Sequence, residues 1–95
     1  MRSRYSAYVV GADDYVLRTW HASTRPLWLD LTTEPVPKWL GLKIINVSGG
    51  RAEDATGEVE FVARYKVQGR AVRLHEHSRF VREQGHWYYL DGQID

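Results

Sequence analysis

One acid stands out in this sequence because it interrupts the apolar side of a strand. In the run RLHEHSRFVRE, Leu74 and Phe80 lie on the apolar side with Glu76 between them, and basic and imidazole side chains alternate with them. Such alternation is typical of a β-strand that is wet on one face. Aromatic surroundings disfavour the charged form of a carboxyl group, which suits it to general acid–base catalysis. The alternative is that Glu76 forms a structural ion pair or lies at a wet pocket mouth.

A second candidate for catalysis is His21. It follows Trp20 at the end of a predicted helix, where the helix dipole favours a protonated imidazole. Acting with Glu76, it could form an acid–base pair across a pocket. A histidine in this position could instead cap the last carbonyl groups of the helix.

Aromatic side chains are abundant, with 4 Trp, 6 Tyr and 2 Phe in 95 residues. A ligand pocket typically combines an apolar wall with a few polar groups. The alternative is that these rings fill the core of a small domain. Trp28, with His21 and Arg25, belongs to a loop that could reach such a pocket. The predicted ligand-binding residues are Trp20, Arg25, Trp39, Phe61, Tyr65, Ser78, Phe80, Trp87 and Tyr89.

Three antiparallel strands between Glu58 and Gly92 are predicted to position these side chains. Matching the apolar sides pairs Phe61 with Glu76 and leaves Gln68-Gly69 as a two-residue turn.

A second turn, Gln84-Gly85, pairs Phe80 with Tyr89 and Arg82 with Trp87. The same register places Arg79 opposite Leu90 and directs Asp91 to the inner face beside Glu76.

The residues on the other face of these strands indicate a different class of function, namely binding of an anion or of an acidic partner. Arg64 falls opposite Arg73, and like charges directly opposed across a sheet are destabilising unless an anion or an acidic partner meets them. The alternative is an ordinary solvated face that nearby glutamates neutralise. His75 and His77 have a spacing that can bind a metal, but no third ligand is evident, so no metal site is predicted. A homodimer could pack through Val62, Val81, Tyr88 and Leu90.

The N-terminal segment is predicted to form two short helices. In the first, residues 1–10, Tyr5, Tyr8 and Val9 form the buried side, while Arg2 and Arg4 face solvent and Gly11 ends the helix.

In the second helix Asp13 is the expected N-cap. Val16, Leu17 and Trp20 form its buried stripe. Because helices this short are unstable alone, they must lie on the sheet.

A loop with one helical turn, starting near Ser23, Thr24 and Pro26, is predicted between residues 21 and 38. A strand is expected over residues 39–48, followed by a polar loop over 48–57.

Composition limits the possible functions. The net charge of +1 gives no bulk field for nucleic acid or a membrane surface. The absence of cysteine excludes disulfides, thiolate metal sites and cysteine nucleophiles within this sequence. No apolar run approaches the ~20 residues of a membrane span, and no signal peptide is evident. We therefore expect a single domain over residues 1–95, located in the cytoplasm, with no cofactor.

Several runs resemble the middle domain of the YchJ (UPF0225) family. They are MRSRYSAY, TWHASTRPLWLDL, WLGLKI, EFVARY, RLHEHSRFVRE and WYYLDG. The resemblance implies the nuclear transport factor 2-like (NTF2-like) fold. Family members typically carry this domain beside cysteine-rich SEC-C zinc motifs, and since this chain has no cysteine, zinc-linked roles do not transfer. It could be a natural short form or a piece of a longer protein.

The expected fold is α+β, an NTF2-like cone in which short N-terminal helices pack on a strongly curved, largely antiparallel four-stranded sheet. Because that superfamily hosts isomerases, dehydratases, hydrolases and binding modules, the fold does not specify a reaction. Two functions are therefore carried forward. One is a small-molecule binding domain, or an enzyme, with an aromatic pocket around Glu76. The other is a non-catalytic module that dimerises or docks an acidic partner through its outer face.

Overall fold

The computed structural model describes residues 2–31 and 35–94. Met1, at the start of the predicted first helix, residues 32–34 of the predicted loop and Asp95 lie outside the described residues. Two helices precede four strands that form one antiparallel sheet in the order β1-β2-β3-β4. The α+β prediction is confirmed. The elements are α1 (Arg2–Val10), α2 (Asp13–Arg18), β1 (Lys38–Gly49), β2 (Thr56–Val67), β3 (Arg70–Glu83) and β4 (His86–Ile94).

The predicted register between β2 and β3 is confirmed. Phe61 pairs with Glu76, so that the acid shares a face with apolar side chains, here called the inner face. Gln68 and Gly69 both have positive φ, at 51° and 79°, as two-residue turns of this type require.

The predicted register between β3 and β4 is right at the turn and wrong beyond it. Phe80 pairs with Tyr89, but Arg79 pairs with Asp91 rather than with Leu90, because a β-bulge adds one residue to β4. A bulge of one residue reverses the facing of everything after it. Asp91 therefore lies on the outer face, where both its carboxylate oxygens accept hydrogen bonds from Arg79.

Two further irregularities interrupt β1, after Trp39 and after Ile44. The extra residues Leu40 and Ile45 are about half exposed, at 49% and 47%. Bulges bend a strand and increase its twist. They therefore account for a sheet that curves around the helices packed against it.

The first helix is rotated relative to the prediction. Arg4 and Ala7 are its buried residues, whereas Val9 is 49% exposed. Since Ala7 and Tyr8 lie one turn after Arg4, they share its side of the helix. The expectation that Arg4 faces solvent was wrong.

The second helix has Ala12 rather than Asp13 as its N-cap residue, so that expectation was also wrong. Asp13 instead accepts a hydrogen bond from the backbone N–H of Leu31, at 2.9 Å. Within this helix, the side chain of Val16 is fully buried. No helix in the described part of the chain is long and apolar enough to cross a membrane.

In the described part of the segment after α2, a turn with the hydrogen bond of a helix forms slightly earlier than the predicted start. The N–H of Arg25 donates to the carbonyl of His21 at 2.9 Å. Leu27 and Trp28 follow it and are largely exposed. The segment is held to the edge of β4 because Tyr89 exchanges backbone hydrogen bonds with Thr19 and His21, at 2.8 and 2.7 Å.

Candidate functional site

Glu76 lies on the inner face at the middle of β3, where two hydroxyl groups hold its carboxylate. Ser78 Oγ donates to Glu76 Oε2 at 2.5 Å, and the Tyr89 hydroxyl donates to the same oxygen at 3.3 Å. Ser78 is fully buried. Within the described chain Oε1 accepts no hydrogen bond, so the carboxylate is oriented through one oxygen and keeps the other available.

Gly92 makes room for that carboxylate. It pairs with Ser78 because of the bulge in β4. A Cβ atom at Gly92 would overlap the carboxyl group of Glu76 and would stand 2.8 Å from the Tyr89 hydroxyl. A side chain at this position would therefore displace the carboxyl group of Glu76 from its hydrogen bonds, and the bulge is what brings Gly92 beside it.

Arg4 reaches the same site from α1 and is 7% exposed. Its guanidinium Cζ lies 4.1 Å from the ring centroid of Tyr89, 4.8 Å from that of Trp20 and 5.5 Å from that of Tyr8. Such distances are those of cation–π contacts. Its hydrogen bonds are long, at 3.5 Å to the carbonyl of Val16 and 3.4 Å to the Tyr8 hydroxyl. None of the ion pairs between described residues includes Arg4.

Arg4, Glu76 and the surrounding rings line a partly open cavity of about 300 Å³, which we call the central cavity. It is lined by several of the residues that the sequence indicated, namely Trp20, Trp39, Phe61, Glu76, Ser78 and Tyr89. Five further lining residues are not among the predicted site residues, namely Arg4, Tyr5, Tyr8, Ala63 and Leu74. One signal could have found Arg4, since the spacing Arg4-Ala7-Tyr8 offers an alternative helix face.

Burial dominates the electrostatics of this cavity. Desolvation lowers the pKa of Arg4, although Tyr8, Tyr89 and Glu76 act in the opposite direction. Desolvation also raises the pKa of Tyr89 strongly, and the charge of Glu76 adds to that rise. The pKa of Tyr8 is raised for the same first reason. Both hydroxyls therefore stay protonated and act as neutral hydrogen-bonding groups at physiological pH.

The indole of Trp20 adds an unused donor. Its Nε1–H is buried and has no hydrogen-bond partner within the described chain. The ring packs edge-on against Tyr89, with centroids 5.2 Å apart. Buried N–H groups are normally satisfied, so this one marks a place where an acceptor would be stabilising.

The structure places His21 away from the central cavity. Its Nε2 lies 2.8 Å from a carboxylate oxygen of Glu83, and its Nδ1 lies 2.7 Å from Ser23 Oγ. Both ring nitrogens are thus engaged, and His21 does not pair with Glu76. Arg25 lines a separate hollow beside Leu17, Ala22, Pro26 and Leu27.

The remaining predicted ligand residues lie beside the cavity or beyond it. Tyr65 packs on Trp39 with ring centroids 5.1 Å apart and is not part of the cavity wall. Phe80 and Trp87 line a second hollow of about 260 Å³ at the other end of the inner face, together with Val47 and Val59. The aromatic residues were predicted to line one pocket, whereas the sheet divides them between the central cavity and this second hollow.

On the outer face, acids contact three of the basic groups. The contacts are His75–Glu60 at 2.6 Å, His77–Glu58 at 3.2 Å and the ion pair Arg79–Asp91.

Arg64 and Arg73 on the same face are directly paired across the strands, as predicted, and both are exposed. Neither takes part in an ion pair with another described residue. The described chain contains no group of three or more His, Asp or Glu side chains placed to hold a metal ion.

The chemistry available in the central cavity is therefore limited. A carboxylate with one available oxygen and a buried guanidinium face the same aromatic space. These groups can bind a polar ligand at two points, and the carboxylate can accept or donate one proton.

Comparison with known proteins gives consistent results. Residues 1–92 match the family model described as "YchJ, middle NTF2-like domain". A UPF0225 protein of Chromobacterium violaceum is 56% identical over 95 residues, which cover 99% of this chain and 70% of the relative. One from Polaromonas naphthalenivorans is 59% identical over 93 residues, covering 97% and 65%.

Two solved structures are also similar. The solution structure of a SEC-C motif containing protein from Rhodopseudomonas palustris matches all of this chain and 75% of its own, at 31% identity and a TM-score of 0.84. The crystal structure of a SEC-C motif containing protein from Psychrobacter arcticus matches all of this chain and 58% of its own, at 28% identity and a TM-score of 0.74. None of these names states a reaction or a ligand.

Proposed function

This chain belongs to the YchJ family through its middle NTF2-like domain, and we propose that it binds a small molecule in the central cavity around Glu76. One observation carries the proposal. Arg4 and Glu76 bring opposite charges to one aromatic cavity, and neither forms an ion pair with any described residue.

Stabilising the core does not explain why two charged residues, Arg4 and Glu76, line this cavity. Burying a charge is costly unless a partner compensates it, and apolar residues of similar size are often at least as stable in its place. A cavity of about 300 Å³ is also at the lower end of the range for small-molecule sites. Both points favour binding of a compact, polar-tipped ligand.

Glu76 is the group that would exchange a proton with such a ligand. Its Oε2 is held by Ser78 and Tyr89, which leaves Oε1 for the ligand. Since His21 is engaged elsewhere, any acid–base chemistry at this site would depend on Glu76 without a histidine partner. Catalysis by Glu76 is the narrower form of the proposal, and binding does not require it.

The experiment is a screen of small polar fragments by thermal shift, followed by two-dimensional NMR to locate each binding compound. A ligand present at 100 times its Kd stabilises the folded state by about 2.7 kcal/mol. We expect hits to move the resonances of Ser78 and Tyr89, and Glu76→Gln to change their affinity. The matched control is Glu53→Gln, an exposed acid in the loop before β2. Hits that map elsewhere, or affinities that Glu76→Gln leaves unaltered, would contradict the proposal.

The outer face supports a second candidate, docking of an acidic partner. Arg64 and Arg73 are exposed, directly opposed and without an ion pair in the described chain, whereas His75, His77 and Arg79 nearby contact acids. With poly-glutamate as probe, we expect weak, salt-sensitive binding that Arg73→Glu abolishes. The same substitution should stabilise the fold by roughly 0.2–1 kcal/mol, because it replaces a like-charge pair. Binding that survives Arg73→Glu would exclude this candidate.

A homodimer packed through the outer face is the related expectation. Val62 is only 5% exposed and contributes nothing to such a contact, which leaves Val81, Tyr88 and Leu90. Sedimentation at several concentrations tests it, and a strictly monomeric protein at high concentration would exclude it.

A further inference from the structure

We propose that the ligand of the central cavity is a monocarboxylate with a small apolar or aromatic body, and that Arg4 receives its carboxylate group. This rests on the proposed function, because it specifies the class of molecule bound at the same site.

Arg4 favours a carboxylate because its own hydrogen-bond donors are poorly used. A guanidinium has five N–H donors in a planar fork that matches a carboxylate with two parallel hydrogen bonds. Arg4 is 7% exposed, and its hydrogen bonds to Val16 and Tyr8 are long, at 3.5 and 3.4 Å. The fold thus holds a buried cation whose donors are poorly used. A carboxylate is the common ligand group that satisfies both the charge and the geometry.

Trp20 also favours a ligand that presents an acceptor. Its indole Nε1–H is a donor only, is buried, and has no acceptor among the described residues. The centroid of the same ring lies 4.8 Å from the guanidinium carbon of Arg4, and the ring lines the central cavity. Both groups are donors only, so a ligand that pairs with either one presents an acceptor, and a carboxylate has about four lone-pair sites.

The position of Glu76 limits the rest of the ligand. Because its carboxylate lines the same cavity, a second negative charge on the ligand would be repelled, so the ligand carries one carboxylate. The remaining wall consists mainly of aromatic rings and Leu74. At about 300 Å³ the cavity accommodates a body of about one ring or a short branched chain.

A cationic ligand is the competing class, since aromatic rings and a carboxylate often bind ammonium groups. Here the rings of Tyr89, Trp20 and Tyr8 already face the guanidinium of Arg4, at 4.1–5.5 Å. A second cation would meet that positive charge. The anion is therefore favoured, and the cation becomes an outcome of the test.

The test compares three probes of one shape, which are benzoate, neutral benzamide and cationic benzylammonium. Each is titrated into the full chain labelled with ¹⁵N, with the Trp20 indole N–H resonance as readout. A charge-assisted pair leads us to expect benzoate to bind about tenfold or more tightly than benzamide, and benzylammonium to bind most weakly. Arg4→Met should remove the preference for benzoate, whereas Arg2→Met, an exposed arginine of the same helix, should keep it.

For the substitution Glu76→Gln, the inference predicts the direction in which the affinity for benzoate changes, which a purely structural role of Glu76 would not predict. It removes a repelling charge, so benzoate should bind more tightly to this variant, whereas a cation would bind more weakly. Equal affinity for benzoate and benzamide, or tightest binding of benzylammonium, would overturn the inference and leave the cavity as a binding site. Failure of all three probes would also overturn it. The proposed function itself fails only if the broader fragment screen also places no compound at the central cavity.

Discussion

Replacing Arg4 with methionine should stabilise the fold. The side chain is 7% exposed, and burial lowers the pKa of the guanidinium in spite of Tyr8, Tyr89 and Glu76. A base with a lowered pKa in the folded state is less stable there in its charged form than in the unfolded chain. Since arginine stays charged over the accessible pH range, this destabilisation is present at every working pH.

The size of the effect follows from opposing contributions. Cation–π contacts with the neighbouring rings favour arginine by about 0.5–2 kcal/mol each, and these values do not add fully. The desolvation cost of a buried ion is several kcal/mol. A buried methionine adds about 1.5–3 kcal/mol of its own. We therefore expect Arg4→Met to raise the free energy of unfolding by about 1 kcal/mol, or roughly 4–8 °C in Tm for a domain of this size.

The assay is urea unfolding of both proteins, checked by calorimetry. Arg2→Met is the matched control, because Arg2 is exposed and lies in the first turn of the same helix. Both substitutions remove a cation from the helix N-terminus, so their difference isolates burial. Arg4→Met should be the more stable of the two. A loss of 1 kcal/mol or more in Arg4→Met, with Arg2→Met unchanged, would refute the reasoning, because the rings would then outweigh desolvation.

Three other substitutions, the first with Gly41→Ala as its control, test the sheet. Gly92→Ala should destabilise by about 1–3 kcal/mol in urea unfolding because its methyl overlaps a carboxyl group. Gly41→Ala, which meets nothing within 4 Å, should stay within about 0.5 kcal/mol, and equal losses would contradict the steric account. Arg79→Gln should return the lowered pKa of Asp91 toward 3.8, which an NMR titration of the carboxyl group would measure. The pair's contribution to stability is present above pH 4 and lost below it, so an unmoved titration would argue against the bulged register. Gln68→Asn should stabilise by up to about 1 kcal/mol, because asparagine tolerates the φ of 51° better, and a decrease in Tm would oppose this.

The parts of the fold set by side-chain parity were predictable from the sequence. Matching apolar faces gave Phe61 opposite Glu76 and both two-residue turns, because a slip of one residue would reverse every side chain. The bulge in β4 was not predictable in this way. Both registers pair Phe80 with Tyr89, and only the bulged one lets Asp91 meet Arg79. Which of the two registers forms therefore depends on a contact between side chains, and the hydrophobic periodicity of the sequence gives no information about that contact.

The face of α1 was mispredicted for a related reason. Hydropathy predicts that an arginine faces solvent, whereas Arg4 is surrounded by Tyr8, Trp20 and Tyr89, which come from three different segments. A local sequence pattern does not indicate that rings from distant segments will meet. The aromatic content of the chain indicated a pocket, but the cation within it follows only from tertiary structure.

The departures from local rules occur at one place. A charged residue on a buried helix face, an indole N–H without an acceptor, and a glycine required beside a carboxylate all border the same cavity. Local rules are usually broken where function requires it, at some cost in stability. If Arg4→Met stabilises the fold and also removes the preference for benzoate, the charge is retained for binding. If it does neither, the charge of Arg4 is retained for the packing of the fold rather than for binding.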